Sequence, residues 1–401
     1  MRIGIVTETY LPEVNGVALT VAGLVRGLAD GGHQVHLVRP RQAADNAWSH
    51  TGQGVSTELM RGIGLPGYPG LQFGLPAGRR LRALWKKQRP DAIYVATEGP
   101  LGASALRVAN LLAIPASTGF HTRFDEFAKH YRLGALAPLV MRYLRNFHGR
   151  GAATFVPTFE LVDFLSRQHF GNVVRLPRAV DTRLFAPSRR DDSLRAQWGL
   201  EAGQLAVIYV GRIAHEKNLP LAVRSFRALQ QRLPHARYVW VGDGPARAVL
   251  QAENPDFIFA GVQRGEALAR HYASADLFMF PSLTETFGNV TLEALASGVP
   301  TLAFDYGAAR EHVDDSCGKR IAFGNAEAFV QAACELATDC DRLSGPMRSS
   351  ARAAVEDLDP GSVSASFIAA LAHLARAARE PHASAAGLIE EPGDMLARRT
   401  S

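Results

Sequence analysis

The side chains best suited to chemistry stand in the second half of the chain. A short apolar run near 205–210 leads into Gly211-Arg212-Ile213-Ala214-His215-Glu216-Lys217-Asn218-Leu219. Two cations in a loop at a strand's carboxyl end can grip both phosphates of a diphosphate, Arg212 through its planar fork and Lys217 as a point charge. A pair of solvated surface cations is the plainer alternative; the glycine before Arg212 and the helical pattern after Asn218 favour phosphate. Further on, Phe280-Pro281-Ser282-Leu283-Thr284-Glu285 and the segment to Pro300 place Glu285 in a short loop after a strand and Glu293 on a helix that starts near Gly288. The free N–H groups of Phe287, Gly288 and Asn289 at that helix start can meet hydroxyl or phosphate oxygens. Carboxylates accept from the vicinal hydroxyls of sugars, so two of them beside a diphosphate grip suggest a nucleotide-sugar site. As a bare spacing a glutamate pair is usually structural; this setting tilts it toward function.

Near the amino terminus, Thr7-Glu8-Thr9-Tyr10-Leu11-Pro12-Glu13-Val14-Asn15-Gly16-Val17 precedes an apolar helix. Only Gly16 stands in the turn, so this is not the glycine-rich fingerprint of a dinucleotide fold, and hydride transfer loses support. Gly16 beside Asn15 still lets the backbone approach an anion, although a plain strand-to-helix turn uses a glycine as readily. Asp339-Cys340-Asp341 and Asp357-Leu358-Asp359 match a DxD string, but both fall late in the chain in segments that read as surface helix or loop. No metal site is expected from them.

These residues need a scaffold that carries loops to one cleft. Apolar runs near 2–7, 34–38, 92–97, 114–118, 153–157 and 173–177 alternate with helical patterns, the signature of a parallel sheet. A polar stretch over 178–204 interrupts the series, which resumes near 205–210, 237–241, 256–260, 277–281, 300–304 and 319–323. The expected class is α/β, with two doubly wound Rossmann-like parallel-sheet domains facing a cleft. The expected units are an acceptor-side domain at 1–180, a linker at 181–204, a nucleotide-sugar domain at 205–365, a terminal helix at 366–380 returning to the first domain, and a poorly packed tail at 381–401. Ligands of open parallel sheets sit at the carboxyl ends of strands, so the interdomain cleft is the expected site.

Composition agrees with a globular protein: 401 residues, 47% hydrophobic, 20% charged. Cys317, Cys334 and Cys340 form no CxxC pair and are odd in number, which argues against a disulfide scaffold or thiolate zinc site. The chain opens on Arg2-Ile3-Gly4-Ile5-Val6 with no leader pattern, and no apolar run reaches bilayer-spanning length, so a cytoplasmic setting is expected. The net charge of +6 is uneven: residues 71–150 hold 13 Lys and Arg against 4 Asp and Glu. Arg79, Arg80, Arg82, Lys86, Lys87 and Arg89 surround Leu81, Leu84 and Trp85; Lys129, Arg132, Arg142, Arg145 and Arg150 interleave with Leu136, Leu139, Val140, Tyr143, Leu144 and Phe147. Basic amphipathic helices of this kind suit an anionic bilayer surface, with ordinary solvated helices as the alternative. No nucleic-acid motif accompanies the charge, so no nucleic-acid partner is expected.

The Gly211-Arg212 to Lys217-Asn218 loop, the Glu285 and Glu293 pair, and Gly298-Val299-Pro300 resemble the retaining GT-B glycosyltransferases of the glycogen-synthase-like and phosphatidylinositol-mannosyltransferase group. Thr97-Glu98-Gly99-Pro100-Leu101-Gly102, Phe120-His121-Thr122-Arg123-Phe124, His130-Tyr131-Arg132-Leu133-Gly134, Arg142-Tyr143-Leu144-Arg145 and Val180-Asp181-Thr182-Arg183-Leu184-Phe185 are similar to a narrower branch, the bacterial GDP-mannose-dependent α-mannosyltransferases and diacylglycerol glycosyltransferases. The similarity covers about residues 1–375. One departure is Arg178-Ala179, where this branch more often has a glycine; it touches the interdomain linker.

The resemblance implies that Arg212 and Lys217 neutralise the diphosphate and that Glu293 accepts from the ribose hydroxyls. Glu285 and the amides of Phe287, Gly288 and Asn289 would hold the sugar's hydroxyls, with Gly16 near the phosphates and His121 beside the anomeric centre and C6 group. It implies transfer with retention and no enzyme nucleophile, no required cofactor or metal, and a nucleotide-sugar donor, GDP-mannose ahead of UDP-glucose, UDP-galactose or UDP-glucuronate. The acceptor would be a lipid such as diacylglycerol or a glycolipid, met at the inner face of the cell membrane by a peripheral enzyme. A soluble glycan acceptor, a same-fold nucleotide-sugar epimerase and a catalytically idle sugar-nucleotide module remain as alternatives. Oligomeric state is not legible.

Overall fold

In the computed structural model the described residues are all except 14, 43–44, 46–53, 65–71, 122–136, 286, 340–342, 344 and 379–401. The expected tail at 381–401 therefore lies outside them, as do residues 122–134 of the quoted motifs, Lys129, Arg132, and Cys340-Asp341 of the first DxD string. Short apolar runs become strands because a parallel sheet covered on both faces buries every side chain. Among the described residues, nine strands form in the first half: β1 (Arg2–Val6), β2 (Gln34–Pro40), β3 (Val55–Met60), β4 (Gly62–Gly64), β5 (Gln72–Gly74), β6 (Ala92–Val95), β7 (Ala116–Gly119), β8 (Ala153–Val156) and β9 (Val173–Arg175). Six follow: β10 (Ala206–Val210), β11 (Arg237–Val241), β12 (Ile258–Gly261), β13 (Leu277–Phe280), β14 (Thr301–Phe304) and β15 (Gly318–Ile321).

They assemble into a seven-stranded sheet, β3-β2-β1-β6-β7-β8-β9, and a six-stranded sheet, β12-β11-β10-β13-β14-β15, with β4 and β5 as a separate antiparallel pair. Both large sheets are parallel, and each reverses its winding beside its first strand, between β1 and β6 and between β10 and β13. Those reversals open crevices at the strands' carboxyl ends. The α/β class with two doubly wound sheets is the observed fold. Strand β3 and the β4/β5 pair were not expected: Val55-Ser56-Thr57-Glu58-Leu59-Met60 is half polar, as an edge strand with one open side allows.

Each sheet has its own core. In the second, Tyr209, Tyr238 and Trp240 stack against Phe226 and Phe257. In the first, Ile3, Ile5, Tyr94 and Phe155 pack with Phe367 and Leu371 from the last helix, Pro360–Ala377. That helix crosses the helix Gly16–Asp30 closely enough that a Cβ on Gly27 would lie 1.9 Å from Ser364 Oγ. The polar stretch over 181–204 carries the helix Asp192–Gln197, and Phe185, Trp198 and Leu200 sink into the second core. Three of its charged residues pair across the fold: Arg190 and Arg195 both reach Asp276, and Arg270 holds Asp191. The halves meet where Glu311 accepts from the Phe159 N–H at 2.9 Å and from Arg175 at 3.1 Å.

Candidate active site

The crevice between β10 and β13 brings two loops together. After β10, Asn218 adopts a left-handed conformation, with φ of 56°, and donates from Nδ2 to the Pro281 carbonyl at 3.3 Å. The Thr284 hydroxyl donates to the Glu216 carbonyl at 3.1 Å. These ties place Lys217 against the second loop: its Nζ lies 2.5 Å from Glu285 Oε1 and 3.1 Å from the Thr284 carbonyl. Ser282 Oγ donates to the same Glu285 oxygen at 2.9 Å. An ammonium has three donors, so this arrangement leaves Lys217 one for an anion. Arg212 projects outward, with 66% of its side chain exposed and a 3.4 Å contact to Glu216 as its ion pair. Such a long, exposed contact costs little to exchange for a phosphate.

The helix Asn289–Ala296 starts at Gly288, whose φ of 91° turns the chain out of the loop. No side chain among the described residues caps that start, and the first N–H groups of a helix have no acceptor within it. Phe287 is buried beneath, its carbonyl accepting from the Ala308 N–H at 2.7 Å. Glu293 takes a hydrogen bond from the Tyr272 hydroxyl at 3.1 Å, and burial pushes its carboxyl up to about 7.

Between the two sheets lies a cavity of about 270 Å³. Thr20, His121 and Arg178 line it from the first half, Asn289 and Glu293 from the second. His121 follows β7 and is buried; its Nε2 is 2.8 Å from the Tyr94 hydroxyl and its Nδ1 is 3.1 Å from the Arg178 guanidinium. Burial foremost, then the Arg178 charge, keeps this imidazole far below the usual histidine range. Gly16 sits exposed at the start of its helix, where Asn15 Oδ1 accepts from the Ala18 N–H at 2.8 Å.

The structure thus joins His121, Asn289 and Glu293 around one cavity, from its two sides, and Lys217 with Glu285 at the neighbouring loop pair. Arg212 and Gly16 do not line that cavity. Asp359 of the second DxD string caps the last helix by accepting from the Gly361 and Ser362 N–H groups. Among the described residues no three His, Cys, Asp or Glu side chains gather as metal ligands would. Sequence reasoning missed Arg178, Tyr94 and Tyr272. Two are tyrosines inside apolar patterns, and Arg178 stood at the start of the polar stretch over 178–204.

Residues 14–184 match the family model Glycosyltransferase Family 4, and residues 204–339 match Glycosyl transferases group 1. A GDP-mannose-dependent alpha-mannosyltransferase of Mycolicibacterium smegmatis is 34% identical over 319 residues, spanning 78% of this chain and 82% of its own. An alpha-monoglucosyldiacylglycerol synthase of Acholeplasma laidlawii is 28% identical over 327 residues, with 75% and 80% covered. The Anabaena protein HepE in complex with UDP shares the fold at a TM-score of 0.75 and 17% identity, over 93% of this chain and 100% of that one. With two parallel sheets facing a cleft and both halves matched, the chain belongs to the GT-B glycosyltransferases, enzymes that transfer a hexose from a nucleotide sugar.

Proposed function

We propose that this enzyme transfers mannose from GDP-mannose, with retention of configuration, to a lipid acceptor such as diacylglycerol or a glycolipid at an anionic membrane surface. The observation that carries the donor site is the loop pair in which Glu285 and the Thr284 carbonyl hold Lys217 at the β10/β13 crevice, with Glu293 buried on the helix Asn289–Ala296 that follows the second loop. Lys217 and Arg212 neutralise the diphosphate, and Glu293 accepts from the ribose hydroxyls. Glu285 and the amides of Phe287, Gly288 and Asn289 receive the sugar, with Gly16 toward the phosphates and His121 along the C1 to C6 edge. The C1–O bond to phosphate breaks toward an oxocarbenium-like sugar. The acceptor hydroxyl attacks the same face and passes its proton to the departing phosphate. Fixed cations at the leaving group then supply the largest stabilisation.

Mannose and GDP follow the mycobacterial relative, and a lipid acceptor follows the diacylglycerol enzyme. The surface of the first half supports the latter. The helix Gly78–Lys87 buries Leu81 and Trp85 and turns Arg79, Arg80, Arg82, Lys86 and Lys87 outward. On the helix Ala137–His148, Leu139 and Tyr143 are 55% and 47% exposed beside Arg142. Basic residues around exposed apolar ones suit an anionic bilayer. No helix among the described residues is long and apolar enough to cross a membrane. Offering GDP-mannose, UDP-glucose, UDP-galactose and UDP-glucuronate with diacylglycerol in anionic vesicles tests the reading. Labelled glycolipid from GDP-mannose supports it; product from a UDP-sugar alone overturns the donor.

A further inference from the structure

The cavity wall holds a buried cation that meets no counter-ion among the described residues. Arg178 is 5% exposed, and among the described residues no carboxylate pairs with it. Burial lowers its guanidinium to about 10. Its two terminal nitrogens serve neutral acceptors, one the Thr20 hydroxyl and the other His121 Nδ1 at 3.1 Å, while Nε has no partner among the described residues. A guanidinium can only donate, so Nδ1 of His121 must accept and a neutral ring must carry its proton on Nε2. That N–H then points at the Tyr94 oxygen, 2.8 Å away. The backbone makes room for this contact: a Cβ on Gly119 would lie 2.2 Å from the Tyr94 hydroxyl and 2.5 Å from His121 Nε2.

We propose that Arg178 is a positioning residue for glycosyl transfer, which with Tyr94 clamps His121 as a neutral, Nε2-protonated ring in one orientation on the wall of the interdomain cavity. The inference rests on the reading that His121 borders the donor sugar. It gives that histidine a definite part. With both ring nitrogens held within the protein, His121 shapes the sugar site and does not carry a proton in the reaction. This agrees with a mechanism in which the acceptor's proton leaves with the phosphate. Buried polar groups that fix one another's orientation make a site rigid, and misplacement by about 1 Å can cost about 100-fold in rate. Arg178 lies in the segment between β9 and the second half, and Thr20 on the helix Gly16–Asp30, so the clamp ties His121 to three separate parts of the chain.

The test reads the full-length protein with nitrogen-15 in its histidine rings. The His121 signals are identified by their loss in His121→Gln. In the wild type they should show a protonated Nε2 and an unprotonated Nδ1 from about pH 5 to about pH 8. The groups facing the ring are Arg178, Tyr94 and His148, with Glu98 acting on Tyr94. Arg178→Met removes the donor to Nδ1 and the nearest positive charge. Its His121 should then mix tautomers and protonate at higher pH, and kcat should fall about 10- to 100-fold with donor KM within about threefold. Tyr94→Phe keeps the packing, removes the acceptor for Nε2 and should also disturb the tautomer.

A wild-type His121 that mixes tautomers or protonates in this range overturns the proposal before any variant is made. So does an Arg178→Met enzyme with wild-type kcat, or one whose only change is a raised donor KM, which would make Arg178 a ligand contact. The nitrogen measurement needs no turnover. If no nucleotide sugar supports transfer, the functional reading fails while the clamp is still decided.

Discussion

Glu293→Gln should make the protein more stable and a poorer donor binder, with the gain in stability confined to neutral and alkaline pH. Burial raises the Glu293 carboxyl from 4.5 to about 7. At roughly 1.4 kcal/mol per unit, holding it ionised in the fold costs about 3 kcal/mol. The sign follows from proton counting. Between these two values the folded chain binds the proton and the unfolded chain does not, so stability falls as pH rises from about 4.5 through about 7. The amide keeps the shape and can still accept from the Tyr272 hydroxyl, but it cannot ionise. Urea unfolding of both proteins should give nearly equal stabilities near about pH 4.5 and an advantage approaching 3 kcal/mol for the variant near about pH 8. The comparison isolates Glu293, because Glu8, also raised to about 7 by burial, is unchanged. On the binding side, losing a charged acceptor for ribose hydroxyls is worth about 1.5 to 3 kcal/mol, so the apparent donor KM should rise about 10- to 100-fold with kcat nearly kept. A stability difference independent of pH would refute the burial reasoning, and an unchanged donor KM would refute the ribose role.

Lys217→Ala should slow transfer by about two orders of magnitude, or about 3 kcal/mol, because the lost charge acts most strongly as phosphate leaves; near-normal turnover would contradict the diphosphate assignment. Glu285→Ala should chiefly lower kcat, read in the same assay under saturating donor, and a pure KM effect would move Glu285 away from the reacting sugar. Transfer should survive EDTA, and strict dependence on an added divalent cation would overturn metal-free chemistry. Neutralising Arg79, Arg80, Lys86 and Lys87 together, or Arg142 with Arg145, should weaken co-sedimentation with anionic vesicles at low salt, since each cation near such a leaflet is worth about 1 kcal/mol. Transfer to a soluble acceptor analogue should persist in both. Variants that sediment like the wild type would leave these helices as a solvated face and favour a soluble glycan acceptor.

The sequence disclosed whatever obeys a local rule. Continuous apolar runs marked the strands buried on both faces, and their alternation with helical patterns marked two parallel sheets. Lys217 and Glu285 were recognisable because each lies just after such a run, where parallel sheets present their loops. What escaped depends on distant partners. Strand β3 carries Ser56, Thr57 and Glu58 on an edge and has no apolar run to announce it. The ion pairs of Arg190, Asp191 and Arg195 were not legible because their partners, Asp276 and Arg270, stand about eighty residues away. Arg178 was hidden for the same reason. A lone arginine in a polar stretch carries no local sign that it will be buried against His121, fifty-seven positions earlier.

The most direct measurement of the functional claim is the anomeric configuration of the product made from GDP-mannose and a diacylglycerol-type acceptor in anionic vesicles. The purified full-length enzyme is used, and the one-bond carbon–hydrogen coupling at C1 is read by NMR on the isolated glycolipid. Retention requires an α-mannoside from the α-configured donor, formed by the wild type and lost together with turnover in Lys217→Ala. A β-mannoside would contradict same-face attack. Free mannose with no glycolipid under the same conditions would contradict transfer to lipid.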